Sequence, residues 1–423
     1  MHLLEPDQEQ AAWRAIVAIA RDLAALAPSR SSGAREASLA SGDAGIALFF
    51  EMLSRTERGE GIGASALADE YLGAALDALG EQSLDPSLFA GFSGVAWVFA
   101  LLCRERGEEV GSDLDAVDEA LAQYVARNAS AELDLITGSV GIGAYLLERL
   151  PRPLAQEGIA EIVRALERAA EERDGLVTWR TPANALDDAD RRLYPEGRYD
   201  LGVAHGVPGT IAFLARVCAA GIEKARSERL LEGALAWLAR QATKGSPSPR
   251  FPYWKAAVGP SPATRLSWCY GDLGIALALL SAATAIRRTD LWDEAVELAH
   301  AVADRAPESA GIVDAGLCHG TAGAAHQFHR LHEATREPKF SRVSRFWFEQ
   351  TLAARREGEG VGGFRAVVRD ANLNDVWLDE PEFLNGAAGI GLALLSALTP
   401  DEPFWDRALL ISPLASERPD PPR

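Results

Sequence analysis

The sequence predicts an all-α protein folded as an α/α toroid, a double-layered barrel of seven inner and seven outer helices. Three observations carry this prediction. A Gly-x-x-Gly pattern recurs seven times along the 423 residues, a strongly apolar run follows each copy, and an amphipathic segment precedes each copy. Because no single pair of helices can bury its own apolar face, repeated pairs must stack on their neighbours.

The apolar runs are the predicted inner helices. They are rich in alanine, leucine and isoleucine, which favour helix over strand, and they are apolar on all sides, as buried helices are. Glycine at their starts permits tight turns and close approach of helices. The paired glycines are Gly42 and Gly45, Gly91 and Gly94, Gly138 and Gly141, Gly206 and Gly209, Gly271 and Gly274, Gly320 and Gly323, and Gly386 and Gly389.

The amphipathic segments are the predicted outer helices. Apolar residues recur in them at a spacing of three to four, opposite a charged face. These segments lie at 12–27, 65–79, 114–127, 159–172, 228–241, 290–303 and 341–354. A closed ring is favoured over an open α-solenoid because the inner helices carry so few charges.

A single toroid domain is predicted over residues 1–412. Longer spacings between the copies mark three loop insertions, near 178–201, 245–266 and 358–381, and the last contains a glycine-rich run that predicts a short hairpin. Loops at one end of a scaffold often form a binding site. The proline-rich tail, residues 413–423, is predicted to be flexible.

Composition and charge exclude several classes of partner. The chain has 42 basic and 61 acidic residues, and its net charge of −19 repels nucleic acids and anionic lipid. Four cysteines are too few for a secreted disulfide framework. The N-terminus lacks the pattern of a signal peptide, and the longest apolar run is too short to span a bilayer. We expect a cytoplasmic bacterial protein without a nucleic-acid partner or stable membrane insertion.

Reactive side chains precede the first glycine in four of the copies. Asp134 lies four residues before that glycine in the third copy, and His205 directly precedes it in the fourth. Cys269 lies two residues before it in the fifth copy, and Cys318 and His319 precede it in the sixth. Equivalent positions of a closed repeat lie at the same end of the ring, so these side chains are expected to converge at one mouth of the barrel.

Cys269, Cys318 and His319 form a candidate zinc site. Three protein ligands that leave a fourth position open are the pattern of catalytic zinc, and thiolates favour zinc over magnesium or calcium. We therefore expect one zinc ion per chain. The alternative is that both cysteines are buried core thiols, which is the interpretation we give to Cys103 and Cys218.

His205 and Asp134 are candidates for acid–base chemistry beside that metal. A histidine that titrates near neutrality can donate or accept a proton, and Asp134 either orients it, acts on the substrate or caps a helix. Tyr270 and Asp272 are candidates for contacts that orient the ligands, with a helix cap as the alternative for Asp272. Three further histidines recur at every third position and are interpreted as a surface stripe rather than a second metal site: His326, His329 and His332.

Three stretches resemble signatures of the lanthionine synthetase C-like family: SWCYGDLG at 267–274, LCHGTAG at 317–323 and LGVAHGVPG at 201–209. The glycine repeats are also similar to that family's toroid, so the resemblance covers nearly the whole chain. It implies a stand-alone class I lanthipeptide cyclase. Such a zinc-dependent enzyme adds peptide cysteine thiols to dehydroalanine or dehydrobutyrine, which forms lanthionine or methyllanthionine thioether rings.

The resemblance also implies roles for individual residues. The family's zinc ligands correspond to Cys269, Cys318 and His319, its acid–base histidine to His205, and its nearby aspartate to Asp134. The implied substrate is a dehydrated precursor peptide with a leader, and the implied partner is the dehydratase that prepares it. The implied location is the cytoplasm, either free or in a membrane-associated biosynthetic complex.

Other functions remain compatible with the same residues. A family relative could add a small thiol such as glutathione to dehydroamino acids, and a zinc-containing scaffold of a modification complex would need no chemistry. Asp272 stands where some family members have a basic residue, which leaves open what holds an enolate oxygen. Toroidal glycosidases need two facing carboxylates and leave the cysteines unexplained, and prenyltransferase-like toroids need a basic pocket that the motif loops lack.

Overall fold

Seven buried helices follow the seven glycine pairs in the computed structural model, which describes residues 3–26, 37–81, 84–128, 132–369, 374–414 and 418–419. Each begins at the residue directly after the first glycine, and apolar and small side chains bury it on nearly all sides. With helices numbered in chain order, they are α2 (Asp43–Ser54), α5 (Phe92–Arg106), α7 (Ser139–Glu148), α10 (Val207–Ala220), α12 (Asp272–Ala285), α14 (Thr321–Thr335) and α16 (Ala387–Leu398). The predicted positions of the inner helices are therefore confirmed.

The seven predicted amphipathic segments are also helical. They are α1 (Pro6–Leu26), α4 (Ala64–Glu81), α6 (Asp115–Asn128), α8 (Pro153–Ala169), α11 (Lys224–Ala239), α13 (Thr289–Ala303) and α15 (Pro338–Ala354). The prediction was wrong at the end of the fourth segment, where α8 stops at Ala169. The chain then forms a hairpin of β1 (Glu171–Arg173) and β2 (Leu176–Thr178).

Within the described ranges, two more short α-helices and two more two-stranded sheets lie in the connections. The helices are α3 (Glu57–Ile62) and α9 (Asp188–Leu193), and the strands are β3 (Tyr199–Asp200), β4 (Trp254–Lys255), β5 (Ala366–Arg369) and β6 (Asp375–Leu378). The β5–β6 pair confirms the hairpin expected in the 358–381 insertion. The β3–β4 pair joins the other two insertions, because Asp200 pairs with Trp254.

The chain divides into two compact units. The first consists of Met1–Val117, Ile312–His329 and Phe340–Trp405, and the second of Asp118–Gly311, Arg330–Lys339 and Asp406–Arg423. In the first unit α2 packs against α4, α5 and α16, and in the second α10 packs against α7, α11 and α12. One domain over 1–412 stays a prediction, and most of the predicted flexible tail, residues 415–417 and 420–423, lies outside the described residues. No helix in the described ranges is both long and apolar enough to cross a membrane.

The second glycine of six of the seven pairs lies against main chain. In six copies, a Cβ atom at this glycine would lie within 2.6 Å of the carbonyl oxygen of the residue six positions earlier. These contacts join Gly45 to Leu39, Gly94 to Leu88, Gly209 to Val203, Gly274 to Trp268, Gly323 to Leu317 and Gly389 to Phe383. In these six copies the loop before the buried helix therefore folds back onto the first turn of that helix, and any side chain at this position would push it away.

Replacing Gly94 with alanine is expected to lower the free energy of unfolding by about 1–3 kcal/mol, because the new methyl group overlaps main chain. Its Cβ atom would lie 1.9 Å from the Leu88 carbonyl oxygen. Gly73 in α4 is the matched control, because a Cβ atom there meets nothing within 4 Å. Gly73→Ala should raise stability by about 0.5–1 kcal/mol. Urea unfolding followed by helical circular dichroism compares the two, and a Gly94→Ala midpoint at or above that of the parent would contradict this explanation of the repeat.

Candidate metal centre and acid–base site

Cys269, Cys318 and His319 come together in the structure. The two Sγ atoms and one His319 ring nitrogen all lie within 4.8 Å of one another. Ligands of a tetrahedral zinc ion, each about 2.0–2.3 Å from the metal, are roughly 3.5–3.8 Å apart, so small side-chain movements would complete such a site. Two soft sulfur donors with one imidazole fit zinc best among common biological metals. The group can therefore hold a metal ion through three ligands.

The three side chains of this group differ in exposure. Cys269 is buried, whereas Cys318 and His319 are partly exposed. Trp268 anchors the buried side, because its Nε1 donates a hydrogen bond of 2.9 Å to the Leu409 carbonyl. Partial exposure of two ligands is compatible with a fourth position that a small group can reach from solvent.

Main-chain hydrogen bonds between neighbouring loops set the register of the site. In the second unit Leu135 N donates to Ala204 O and Ala204 N to Cys269 O, both at 3.2 Å. In the first unit the same kind of bond runs from Cys318 N to Leu384 O at 2.8 Å, from Leu384 N to Ala40 O at 3.3 Å and from Ala40 N to Phe89 O at 2.9 Å. Each of these residues lies two positions before the first glycine of its copy, except Leu135, which lies three positions before its glycine. We call them the relay positions.

His205 and Asp134 form a hydrogen-bonded pair. His205 Nδ1 lies 2.9 Å from Asp134 Oδ2. The other carboxylate oxygen, Oδ1, accepts hydrogen bonds from the main-chain nitrogens of Thr137 at 2.7 Å and Gly138 at 3.1 Å. One oxygen of Asp134 therefore closes the turn before α7, and the other faces the histidine. The bond at Nδ1 leaves Nε2 of His205 as the nitrogen that can exchange a proton with a ligand.

The pair shifts the pKa of each partner. Burial opposes charge on the imidazole, but the hydrogen bond and charge of Asp134, with the charge of Asp200, outweigh it and raise the pKa of His205 above its usual value. Burial likewise opposes charge on Asp134, yet the contact with His205 lowers the pKa of that carboxyl group. The arrangement thus favours an imidazolium beside a carboxylate, which suits a proton donor.

Tyr270 extends this pair. Its ring stacks on the His205 ring, with centroids 6.2 Å apart and planes 25° from parallel. Its hydroxyl donates a hydrogen bond of 3.1 Å to Oδ1 of Asp200. Sequence reasoning placed Tyr270 beside the ligands but missed Asp200, although an aspartate that ends an insertion and enters the LGVAHG stretch was a signal.

Comparison with known proteins identifies the family of this chain. The family described as "Lanthionine synthetase C-like protein" matches residues 33–410. The chain belongs to this family.

A curated protein and a solved structure extend the comparison. The lanthionine synthetase C-like chain is 24% identical over 275 residues to "Nisin biosynthesis protein NisC" of Lactococcus lactis subsp. lactis, a match that covers 60% of this chain and 63% of that protein. It therefore matches somewhat less than two thirds of the length of this relative. A solved structure described as "Nisin cyclase" matches with a TM-score of 0.73 and 21% identity over 89% of this chain and 92% of the other. This likeness confirms the predicted fold class, an all-α toroid.

Asp272 of this lanthionine synthetase C-like protein binds the 245–266 insertion. Its Oδ2 accepts hydrogen bonds from Ser248 Oγ at 2.9 Å and Arg250 N at 2.6 Å, and its Oδ1 accepts one from Phe251 N at 3.0 Å. Burial raises the pKa of this carboxyl group even though these donors oppose the shift. Asp272 therefore ties the 245–266 insertion to the first residue of α12.

The remaining cysteines and histidines divide into correct and incorrect predictions. Cys103 and Cys218 are buried at 8% and 7% exposure, which confirms that they are core residues. The surface stripe was wrong for His326, which is 1% exposed and packs its ring 4.4 Å from the Trp405 ring. Its helix, α14, is buried on nearly all sides, so spacing alone could not tell which face would meet solvent.

Proposed function

We propose that this protein is a lanthipeptide cyclase, which adds peptide cysteine thiols to dehydroalanine or dehydrobutyrine and so closes lanthionine and methyllanthionine rings. The observation that carries the proposal is the Cys269, Cys318 and His319 group with an imidazole–carboxylate pair on the loop bonded to that of Cys269. Membership of the family and the name of a relative in nisin biosynthesis support it.

Cys269, Cys318 and His319 would hold one zinc ion in this enzyme. A bound zinc ion is a Lewis acid that lowers the pKa of a thiol and so makes it a nucleophile near neutral pH. Two thiolates and a neutral imidazole from the protein balance the charge of the ion. The partial exposure of Cys318 and His319 would let a peptide cysteine approach the group.

The protein's own residues would manage the proton. Addition of the substrate sulfur to the β-carbon forms the C–S bond and leaves an enolate, whose α-carbon must be protonated. His205 would donate this proton from Nε2, while Asp134 holds Nδ1 and stabilises the imidazolium. The thiol loses one proton and the α-carbon gains one, so the reaction needs no further reactant.

The substrate we propose is a dehydrated precursor peptide with its leader, delivered by a lanthipeptide dehydratase. The three insertions, at 178–201, 245–266 and 358–381, are the candidate contacts for the leader. We place the enzyme in the bacterial cytoplasm, alone or in a membrane-associated complex.

The experiment that tests the function uses a peptide with one cysteine and one dehydroalanine. Ring closure leaves the mass unchanged, so the measurement is loss of a thiol that N-ethylmaleimide can alkylate, followed by fragmentation in a mass spectrometer. The parent is expected to protect the thiol and block fragmentation inside the ring, and prior removal of metal with a chelator should abolish both effects. Glutathione added in competition separates the alternatives, because a peptide that gains one glutathione mass instead of a ring would indicate a small-thiol transferase. A peptide that stays linear and unmodified would favour a scaffold.

A further inference from the structure

A buried carboxylate ends the 178–201 insertion. Asp200 is 2% exposed, and three donors converge on it. Its Oδ1 accepts hydrogen bonds from Arg198 Nε at 3.0 Å and from the Tyr270 hydroxyl at 3.1 Å, and its Oδ2 accepts one from Thr181 Oγ1 at 2.7 Å. A charge removed from water in this way is costly unless it is paired and hydrogen-bonded, so all three contacts define one position for the carboxylate.

The two neighbouring insertions hold this carboxylate in place. Asp200 lies in β3, which pairs with β4 of the 245–266 insertion. The Arg198 guanidinium lies 3.9 Å from the centre of the Trp254 ring and also binds Asp190 Oδ2 at 2.6 Å. Arg198 is therefore fixed by a carboxylate on either side and by an aromatic face, and it presents Nε to Asp200.

The Tyr270 ring is held by its neighbours as well as by Asp200. This ring neighbours both the His205 ring and the Tyr253 ring, whose centroids lie 6.2 Å and 5.3 Å away. Gly202 lies against one edge, since a Cβ atom there would come within 2.6 Å of the Tyr270 ring. These three contacts restrict the ring, and the hydrogen bond to Asp200 fixes the hydroxyl end.

We propose that Asp200 is a positioning residue for ring closure: by accepting the Tyr270 hydroxyl, it holds the Tyr270 ring against His205. Asp134 fixes one nitrogen of the imidazole, and the stacked Tyr270 ring fixes the plane. Together they aim Nε2 of His205 in one direction. Because proton transfer depends steeply on the alignment of donor and acceptor, the loss of either constraint slows the reaction. The inference rests on the proposed function only for the identity of the step.

The test compares Asp200→Ala, Asp200→Asn, Tyr270→Phe and the double variant Asp200→Ala/Tyr270→Phe. We expect Asp200→Ala and Tyr270→Phe each to lower kcat about tenfold, in line with the loss of one hydrogen bond to a charged group, with little change in KM or bound zinc. The double variant should be no slower than the slower single variant, because both changes break the same contact. Asp200→Asn should recover most of the rate, since its amide oxygen still accepts the hydroxyl.

Asp290→Ala is the matched control. Asp290 lies in the first turn of α13, outside the three insertions, and like Asp200 it accepts a hydrogen bond of 3.0 Å from an arginine Nε, that of Arg288. Its kcat should equal that of the parent. Rates for Asp200→Ala that match the parent, or losses that multiply in the double variant, would overturn the proposal, as would a KM effect alone. If Asp200→Ala does not fold, Tyr270→Phe and Asp200→Asn still decide the question.

A second measurement needs no substrate, so it separates failure of this inference from failure of the proposed function. The Tyr270 ring should shift the His205 ring protons in NMR spectra through its ring current. With 7 histidines in the chain, the His205 signal is identified by its loss in His205→Asn. Asp200→Ala should move this signal and Asp290→Ala should not. An unmoved signal overturns the positioning role even if the protein proves not to be a cyclase.

Discussion

Replacing Cys318 with alanine is expected to leave the protein folded but without zinc and without ring closure. Only Cys269 and His319 would remain of the three ligands, and two side chains rarely hold zinc against solvent. The measurement is zinc per chain in purified protein, with about one ion expected in the parent and almost none in the variant. Full zinc in Cys318→Ala would refute the ligand set, and no zinc in a folded, carefully prepared parent would remove the metal from the proposal.

The matched control for this variant is Cys218→Ala. Cys218 lies in α10 and is not one of the three grouped ligands. Burial raises the pKa of its thiol to about 12, so this thiol is not readily ionised. It should keep both zinc and activity. Chelation of the parent should remove activity but leave helical circular dichroism intact, because the apolar packing of the buried helices does not depend on the metal ligands. A loss of helix on chelation would show that the metal is structural.

Replacing His205 with asparagine is expected to slow ring closure about 100-fold or more, the range for loss of a general acid. Zinc content should not change, because His205 is not one of the three grouped ligands. The rate is measured as the disappearance of alkylatable thiol under single-turnover conditions. A variant with full zinc and a parental rate would show that another group protonates the α-carbon.

Replacing Asp134 with asparagine is expected to change how the rate of ring closure depends on pH. Asp134 raises the pKa of His205, and the imidazolium that acts as acid exists below that pKa and is lost as pH rises through it. Asparagine keeps an oxygen for the turn at Thr137 but removes the charge, so the fall in rate should move to lower pH. A pH profile that stays in place would mean that His205 is not the titrating acid.

The repeat made much of this protein predictable. A glycine pair at the start of each buried helix is a local signal, and its position is tied to the loop before it by main-chain contacts such as that of Gly94 with Leu88. The side chains of that loop, including Cys269 and Cys318, therefore inherit a common register. This is why a candidate metal site could be assembled from separate stretches of sequence.

The features that the sequence analysis did not predict were missed for different physical reasons. The β1–β2 hairpin was a missed local signal, since Asp174 and Gly175 both have positive φ, the pattern of a tight Asp-Gly turn. Asp200 and Asp272 differ, because they contact residues far away in the sequence: Tyr270 lies 70 residues from Asp200, and Ser248 lies 24 residues from Asp272. His326 was misplaced because a buried helix has no wet face to reveal in its periodicity.

The relay positions have a consequence for how this fold acquires chemistry. Main-chain hydrogen bonds are indifferent to the side chain, so the bonds made at Ala40, Ala204 and Leu384 are the same kind as those made at Cys269 and Cys318. The relay positions are therefore structurally equivalent, and only some of them carry reactive side chains in this protein. A new activity can arise by substitution at one relay position, while the main-chain hydrogen bonds that orient the side chain stay unchanged.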